Sequence, residues 1–466
     1  MVKNLNTNHS YKKILSFFAI FILHFFSINI LLLKPSLANI AIIRDREIEK
    51  FLHQLADPIF IQAGLNPKEI EIYVINDDSI NAFVSNGQKV FINTGLIRKY
   101  KTPDSLIGVI AHETGHIASG HLARANEGYE DAQNAMILSY LLGIGAMASG
   151  SIDAGSAIIM GGSQSAQRLM IKYTRGQEES ADSQALNYLD KLAYPANGLV
   201  EVLNFFNAQM IGYKEQIDEY LLTHPVSSKR IDLIKARTAK NKYTNHKINQ
   251  QLQPQMDIVL AKLEGFLEQP DELIKKYYNR NDFYSRYVKS IAYFRKAQLE
   301  ESLQNIDSLI KEKPKSGFLY DLKGQILFES GKNQEAIIAY DQAIKLLSNQ
   351  DTALTKISFA LALINLKDHD HDLIKLAVTK LKEAQKYEEN NPILFKTLAS
   401  SYLKINDEIN ANLALAEFNL LIDQKEKCLK IINKVIDKLD KKNVNEQQQL
   451  LKANDLKEFC KKNNDD

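Results

Sequence analysis

Five consecutive residues, His112-Glu113-Thr114-Gly115-His116, place two imidazoles and a carboxylate at a spacing that suits one kind of chemistry. On a helix, residues i and i+4 stand one above the other, so His112 and His116 project from one face about a turn apart. Two neutral imidazole nitrogens so placed can hold one zinc ion at about 2.0–2.1 Å each. Glu113 is displaced by one residue and flanks the metal, where it can take a proton from an attacking water and later deliver it to a leaving amine. Zinc would bring the pKa of that water near 7 and polarise the scissile carbonyl. The expected chemistry is hydrolysis of a peptide bond.

A catalytic zinc usually has three protein ligands and one open position, so a third ligand is needed. One arrangement puts a Gly three residues and a His six residues beyond the second histidine, but those positions hold Ser119 and Leu122. His121 lies five residues beyond His116 and falls off the ligand face if the helix continues, which gives it a structural role. Further along, Arg175-Gly176-Gln177-Glu178-Glu179-Ser180-Ala181-Asp182 places Glu178 and Asp182 on one helix face. One can bind zinc while the other holds a histidine through its free ring nitrogen. Spacing alone leaves Glu178, Glu179 and Asp182 all open as ligands.

These groups need rigid elements. Thr102 can cap a helix with Pro103 at its first position and Asp104 in its positive first turn. Leu106, Ile107, Val109, Ile110 and Ile117 supply its buried side, so it is expected to run to about Arg124. Gly115 inside it costs roughly 0.5–1 kcal/mol relative to Ala, which points to a close neighbour there. A second helix is expected over about Tyr173 to Leu192, stopped by Tyr194-Pro195 and Asn197-Gly198. Before them, Ile70, Ile72 and Val74 alternate as a strand, and Asn86-Gly87 separates Asn81–Ser85 from Lys89–Asn93 as a hairpin signal. The runs Ala135–Ala148 and Ala154–Met160 are rich in small residues and too short to span a bilayer. They read as tight helix packing first and as contact with a membrane surface second.

HETGH followed by EESAD resembles the HExxH…ExxAD pattern of the HtpX-like and CAAX prenyl endopeptidase-type zinc metallopeptidases. The resemblance implies one zinc per chain, selects Glu178 as its third ligand, and makes Asp182 a support for the histidines. Asn81-Ala82-Phe83, with Asn93-Thr94-Gly95-Leu96 after it, is similar to the family's strand beside the active site, which could bind substrate backbone by strand addition. Leu222-Thr223-His224-Pro225 and Arg230 match the segment that closes such domains. His224 could then fill a fourth zinc position or stabilise the oxyanion, and Arg230 could help hold that charge. A structural role for Arg230, paired with an acid such as Asp232 or Glu219, is the favoured alternative.

The whole chain gives these parts a setting. Hydrophobic residues make up 45 %, which excludes a mainly disordered protein, and a mean hydropathy of −0.26 excludes a polytopic membrane protein. A formal net charge of +2 offers no basic surplus for nucleic acid. Lys3, Lys12 and Lys13 precede an apolar run from Ile14 to Leu33, and Ser36-Leu37-Ala38 reads as a cleavage site, so residues 1–38 are expected to be a signal peptide directing the chain to the periplasm. An uncleaved N-terminal anchor is the alternative. Residues 39–237 form the expected protease domain, 238–255 a polar linker, and 256–466 a helical repeat domain. There Tyr320, Gly324, Leu327, Gly331, Ala336, Tyr340 and Ala343 fall at tetratricopeptide offsets, and Ser290, Tyr293, Ala297, Ser302, Ile306 and Leu309 repeat them at a period of 34. About four repeats are expected, with register lost after about Asn419. Whether Cys428 and Cys460 pair is open.

The expected fold is therefore mainly α: a helical zincin-type metalloprotease domain with a small β-hairpin or sheet, then an α-solenoid of tetratricopeptide repeats. Periplasmic proteases with this plan act on misfolded or assembling outer-membrane proteins and contact the β-barrel assembly machinery, and the resemblance implies such partners here. The competing reading is a non-catalytic chaperone or assembly scaffold working through the repeats.

Overall fold

The computed structural model describes residues 41–85, 88–121, 175–211, 220–221, 224–240, 243, 248–367, 370–439, 443 and 446–461. The expected signal peptide, the two small-residue runs, Asn86-Gly87, Tyr173 and Leu222-Thr223 lie outside them.

Short runs rich in buried apolar residues form a four-stranded sheet. Strands β1 (Ala41–Ile43), β2 (Glu71–Asn76), β3 (Ala82–Ser85) and β4 (Lys89–Asn93) are ordered β1-β2-β4-β3. The expected hairpin is present: β3 and β4 pair antiparallel, Phe83 opposite Phe91 and Val84 opposite Val90. Strand β2 runs parallel to β4, which a hairpin signal alone could not indicate. Strand β1 pairs antiparallel with β2 and is too short to show a period in the sequence.

Everything described beyond β4 is helical, as expected. Helices α1 (Arg46–Gln62), α2 (Thr94–Lys99), α3 (Pro103–Ala118), α4 (Arg175–Lys191), α5 (Asn197–Ile211) and α6 (Ser228–Ala239) surround the sheet. Helix α3 begins with Thr102 as its N-cap and Pro103 in its first turn, but ends at Ala118 rather than near Arg124. The reason is Gly120, at φ +63°, with Gly120 N–H donating to Ile117 C=O and His121 N–H to His116 C=O. That pair of bonds on a left-handed glycine is a helix stop.

Helix α7 (Ile248–Leu267) starts inside the segment read as a linker. Its buried Ile248, Met256, Val259, Leu260 and Leu263 join the core formed by α1, the sheet and α3–α6. Polar composition on the outer side of the helix had masked this apolar stripe. After α8 (Pro270–Lys276), ten helices follow as five consecutive pairs: α9 (Phe283–Arg295) with α10 (Leu299–Glu312), α11 (Gly317–Glu329) with α12 (Asn333–Leu346), α13 (Ala353–Ile364) with α14 (His371–Gln385), α15 (Pro392–Lys404) with α16 (Glu408–Leu421), and α17 (Lys425–Lys438) with α18 (Gln447–Lys461). Gly324 is where α11 meets its partner, since a Cβ there would lie 2.5 Å from the Tyr340 ring. Cys428 and Cys460 are disulfide-bonded and tie α17 to α18.

Residues 41–461 belong to one compact unit, and its halves meet through charge. Arg44 Nη2 lies 2.8 Å from Glu388, Arg46 Nε 3.1 Å and Lys50 Nζ 2.6 Å from Asp351. Lys262 Nζ sits 2.9 Å from Asp45 and 2.8 Å from Glu47, and Tyr287 donates to Glu47 at 3.0 Å. The start of α1 is thus held by α7, α9 and the loops of later repeats. Among the described residues no helix is long and apolar enough to cross a membrane.

Candidate metal centre

Helix α3 can carry a buried polar cluster because its neighbours approach unusually closely. A Cβ on Gly115 would fall 2.7 Å from the Ala181 carbonyl of α4, and one on Gly108 2.6 Å from the Leu199 nitrogen of α5. The close neighbour expected at Gly115 is therefore α4, which carries the ExxAD residues. This packing leaves His112, Glu113, His116, Glu178 and His224 at 0 % exposure.

Their donor atoms converge. His112 Nε2 is 3.1 Å from His116 Nε2 and 3.4 Å from His224 Nδ1. Glu178 carboxylate oxygens lie 3.5 Å from His112 Nε2, 3.2 Å from His116 Nε2 and 3.0 Å from His224 Nδ1. A tetrahedron of ligands around zinc at 2.0–2.1 Å has edges of about 3.3 Å. These separations bracket that edge, and one donor atom from each of the four residues lies within 4.8 Å of the other three. Three imidazoles and a carboxylate converging this closely in a buried pocket fit a divalent ion of the zinc type.

Each inner imidazole is held from behind, as metal-binding histidines commonly are. His112 Nδ1 lies 2.9 Å from Asp182, and His116 Nδ1 lies 3.0 Å from His121 Nδ1. The expectation that His121 is structural assumed a continuing helix; the turn at Gly120 instead folds it back onto His116. His224 stacks on Tyr220 with centroids 4.5 Å apart, and Tyr220 stacks on Phe206 at 4.3 Å. No local signal in the sequence linked Phe206 or Tyr220 to the cluster.

Arg230, 1 % exposed, grips both oxygens of Asp182, from Nε at 2.7 Å and Nη2 at 2.9 Å, and places Nη1 2.5 Å from Glu178. It also donates to the Pro225 carbonyl at 2.8 Å. The anticipated acid partner for Arg230 exists, but it is Asp182 across the domain instead of the nearby Asp232 or Glu219. Local spacing cannot reveal a pair separated by that much chain.

Glu113 stands apart. Its Oε1 is 3.6 Å from His224 Nε2, and neither carboxylate oxygen has a hydrogen-bond partner among the described residues. Burial, reinforced by the charge of Glu178, raises its pKa. Burial also opposes ionisation of Glu178 and Asp182, but His224, His112 and His116 around the first, and His112 and Arg230 around the second, outweigh it and hold both low. His112 is raised to about 10: burial works against its charge, and Asp182 and Glu178 overcome it. Burial lowers His116 to about 3 against the hydrogen bond that Glu178 accepts from it. The pocket thus holds one carboxyl that binds a proton readily beside two that do not.

Strand β3 lies at the edge of the sheet and packs on α3. Asn81, immediately before it, is fully buried, and its side-chain polar atoms have no partner among the described residues. Ala82 is buried, and Phe83 stacks on Phe91 at 4.9 Å.

Comparison with known proteins bears on this cluster. Residues 43–238 match the model of Peptidase family M48. The chain is 24 % identical over 339 residues to the beta-barrel assembly-enhancing protease of Yersinia pestis, covering 70 % of this chain and 67 % of that protein. To the protein of the same name from Escherichia coli K12 it is 25 % identical over 320 residues, 66 % of this chain and 64 % of that one. It is also 29 % identical over 185 residues to the mitochondrial metalloendopeptidase OMA1 of Saccharomyces cerevisiae, 38 % of this chain and 49 % of that one. The chain therefore spans about two thirds of the length of the first two relatives.

Proposed function

We propose, from the match of residues 43–238 to peptidase family M48, that the chain is a periplasmic zinc-dependent endopeptidase acting on proteins. The observation that carries this reading is the spacing of His112, His116, Glu178 and His224 beside an unpartnered, buried Glu113. His112, His116 and Glu178 are the proposed zinc ligands, oriented by Asp182 and, through it, by Arg230. Zinc, when bound, supplies Lewis acidity to the scissile carbonyl and lowers the pKa of the attacking water. Glu113 takes the proton from that water and hands it to the leaving amine; its raised pKa suits it to hold the proton between the two events. Asn81, Ala82 and Phe83 offer the sheet edge along which an extended substrate backbone adds as a further strand. His224 supplies the fourth donor in the described arrangement, and a catalytic site needs that position open, so His224 has to withdraw for turnover.

The names of the relatives support a substrate class of outer-membrane β-barrel proteins in assembly or quality control, with the five helix pairs serving as tetratricopeptide-type docking repeats for substrates or for the assembly machinery. The test is zinc per purified chain for the wild type and for Glu178→Ala. One zinc in the wild type, lost or much weakened in the variant, is the expected result. A wild type that binds none would overturn the peptidase reading and leave a repeat scaffold on a peptidase fold.

A further inference from the structure

The two histidines of α3 are supported from behind by unlike groups. His112 Nδ1 lies 2.9 Å from Asp182, whose carboxylate Arg230 grips by both oxygens. At His116 the corresponding atom meets a second imidazole: its Nδ1 lies 3.0 Å from His121 Nδ1, with ring centroids 5.1 Å apart and planes at 68°. The rings therefore meet nitrogen to nitrogen and do not stack. His121 is buried and is tied to His116 a second time through the backbone, its N–H donating to the His116 carbonyl at 3.2 Å. The left-handed turn at Gly120, φ +63°, makes both contacts reachable at once.

We infer that His121 is a positioning residue for the metal site, accepting through Nδ1 the one proton that His116 keeps when its Nε2 is given to the ion. The inference rests on the zinc reading of the cluster. His116 turns Nε2 toward His112 Nε2 and Glu178, 3.1 and 3.2 Å away. A ring nitrogen that binds a metal carries no proton, so neutral His116 has its proton on Nδ1, and Nδ1 is a donor. Two donors form no hydrogen bond, so His121 Nδ1 presents its lone pair and the proton of His121 sits on Nε2. The contact thus assigns the tautomer of both rings. A bond donated from Nδ1 fixes the orientation of His116 and makes its Nε2 a better ligand. A neutral acceptor does this without adding a further negative charge to a pocket that already buries Glu113, Glu178 and Asp182.

The assignment names an atom, so it can be tested by side chains that place an acceptor differently. Asparagine carries its amide oxygen the same number of bonds from Cα as histidine carries Nδ1, whereas glutamine carries it one bond further. Zinc affinity of the full chain is measured by competition with a chromophoric chelator for the wild type, His121→Ala, His121→Gln and His121→Asn. Thermal unfolding of the four metal-free proteins is followed alongside. The expected result is zinc binding weakened by about 10–100-fold in His121→Ala and His121→Gln, with His121→Asn close to wild type. Metal-free melting temperatures should not follow that order.

Undiminished zinc affinity in His121→Ala, beside a wild type that binds zinc, would overturn the role of His121 and leave the zinc reading standing. His121→Asn as weak as His121→Ala would show that the ring only fills space, and would overturn the acceptor assignment. A wild type that binds no zinc would overturn the zinc reading and this inference with it. If His121→Ala does not fold, the difference between His121→Asn and His121→Gln still decides.

Discussion

Glu113 is the residue on which the proposed chemistry turns, because its buried carboxylate makes no hydrogen bond among the described residues. Replacing it with Gln removes proton transfer but keeps size and position, so peptide hydrolysis should fall by about 10²–10⁴. Zinc content should stay that of the wild type, measured by elemental analysis. Arg230→Ala is a different kind of change: it strands Asp182 and Glu178 without their buried cation, and should cost about 3–5 kcal/mol in denaturant unfolding. At this scale the sequence was most legible where chemistry and helix period coincide. The grouping of His112, Glu113 and His116 is legible in their spacing, whereas spacing leaves Glu178, Glu179 and Asp182 all open and the choice of Glu178 comes from the resemblance. Phe206 and Tyr220 were not legible, because stacking onto His224 is decided by packing between segments and leaves no period in the chain.

Elements bring these residues together through close backbone approach. At Gly115, α3 and α4 touch so tightly that a single methyl group meets a carbonyl oxygen. Gly115→Ala should therefore destabilise the domain by about 1–3 kcal/mol despite the better helix propensity of alanine. A lowered melting temperature in the zinc-loaded protein would register it, and an unchanged one would mean the helices can part at no cost. Gly120 works by conformation instead: its left-handed φ ends α3 and returns His121 to His116. Apolar periodicity beyond Ile117 overstated the helix because Leu122 continues the pattern, whereas the backbone stop is carried by one glycine. The same bias toward pattern hid α7, whose polar outer side looks like a linker while its inner stripe completes the first core. A chain cut at 255 should for this reason fold poorly, while one cut after Leu267 should keep the core intact, as judged by cooperative unfolding.

Across the whole molecule, the start of α1 joins the two halves by ion pairs to residues far along the chain. Burial opposes the charge on Asp351, but Lys50, Ser348 and Arg46 outweigh it and lower its pKa. Its folded value thus lies below the unfolded value of about 3.9. The contribution is complete above that pH and fades as pH falls through the folded value. Asp351→Asn should accordingly lower the urea midpoint at pH 7, and the gap to wild type should close as the pH drops below about 4. Repeats at helical spacing were legible for α9–α12, where small residues recur in register. The fifth pair was not, since α17 and α18 are held by a disulfide and a short apolar stripe in place of the repeat's usual residues.

Those ion pairs also set an order of events. A chain emerges N-terminus first, so Arg44, Arg46 and Lys50 are present long before Asp351 and Glu388 exist to neutralise them. Until the repeats have arrived, Arg44 and Arg46 have only Glu49 of α1 beside them. The repeats thus complete the charge pattern at the start of α1 last of all, and a prematurely terminated chain keeps its first core while that end of the helix stays short of carboxylates.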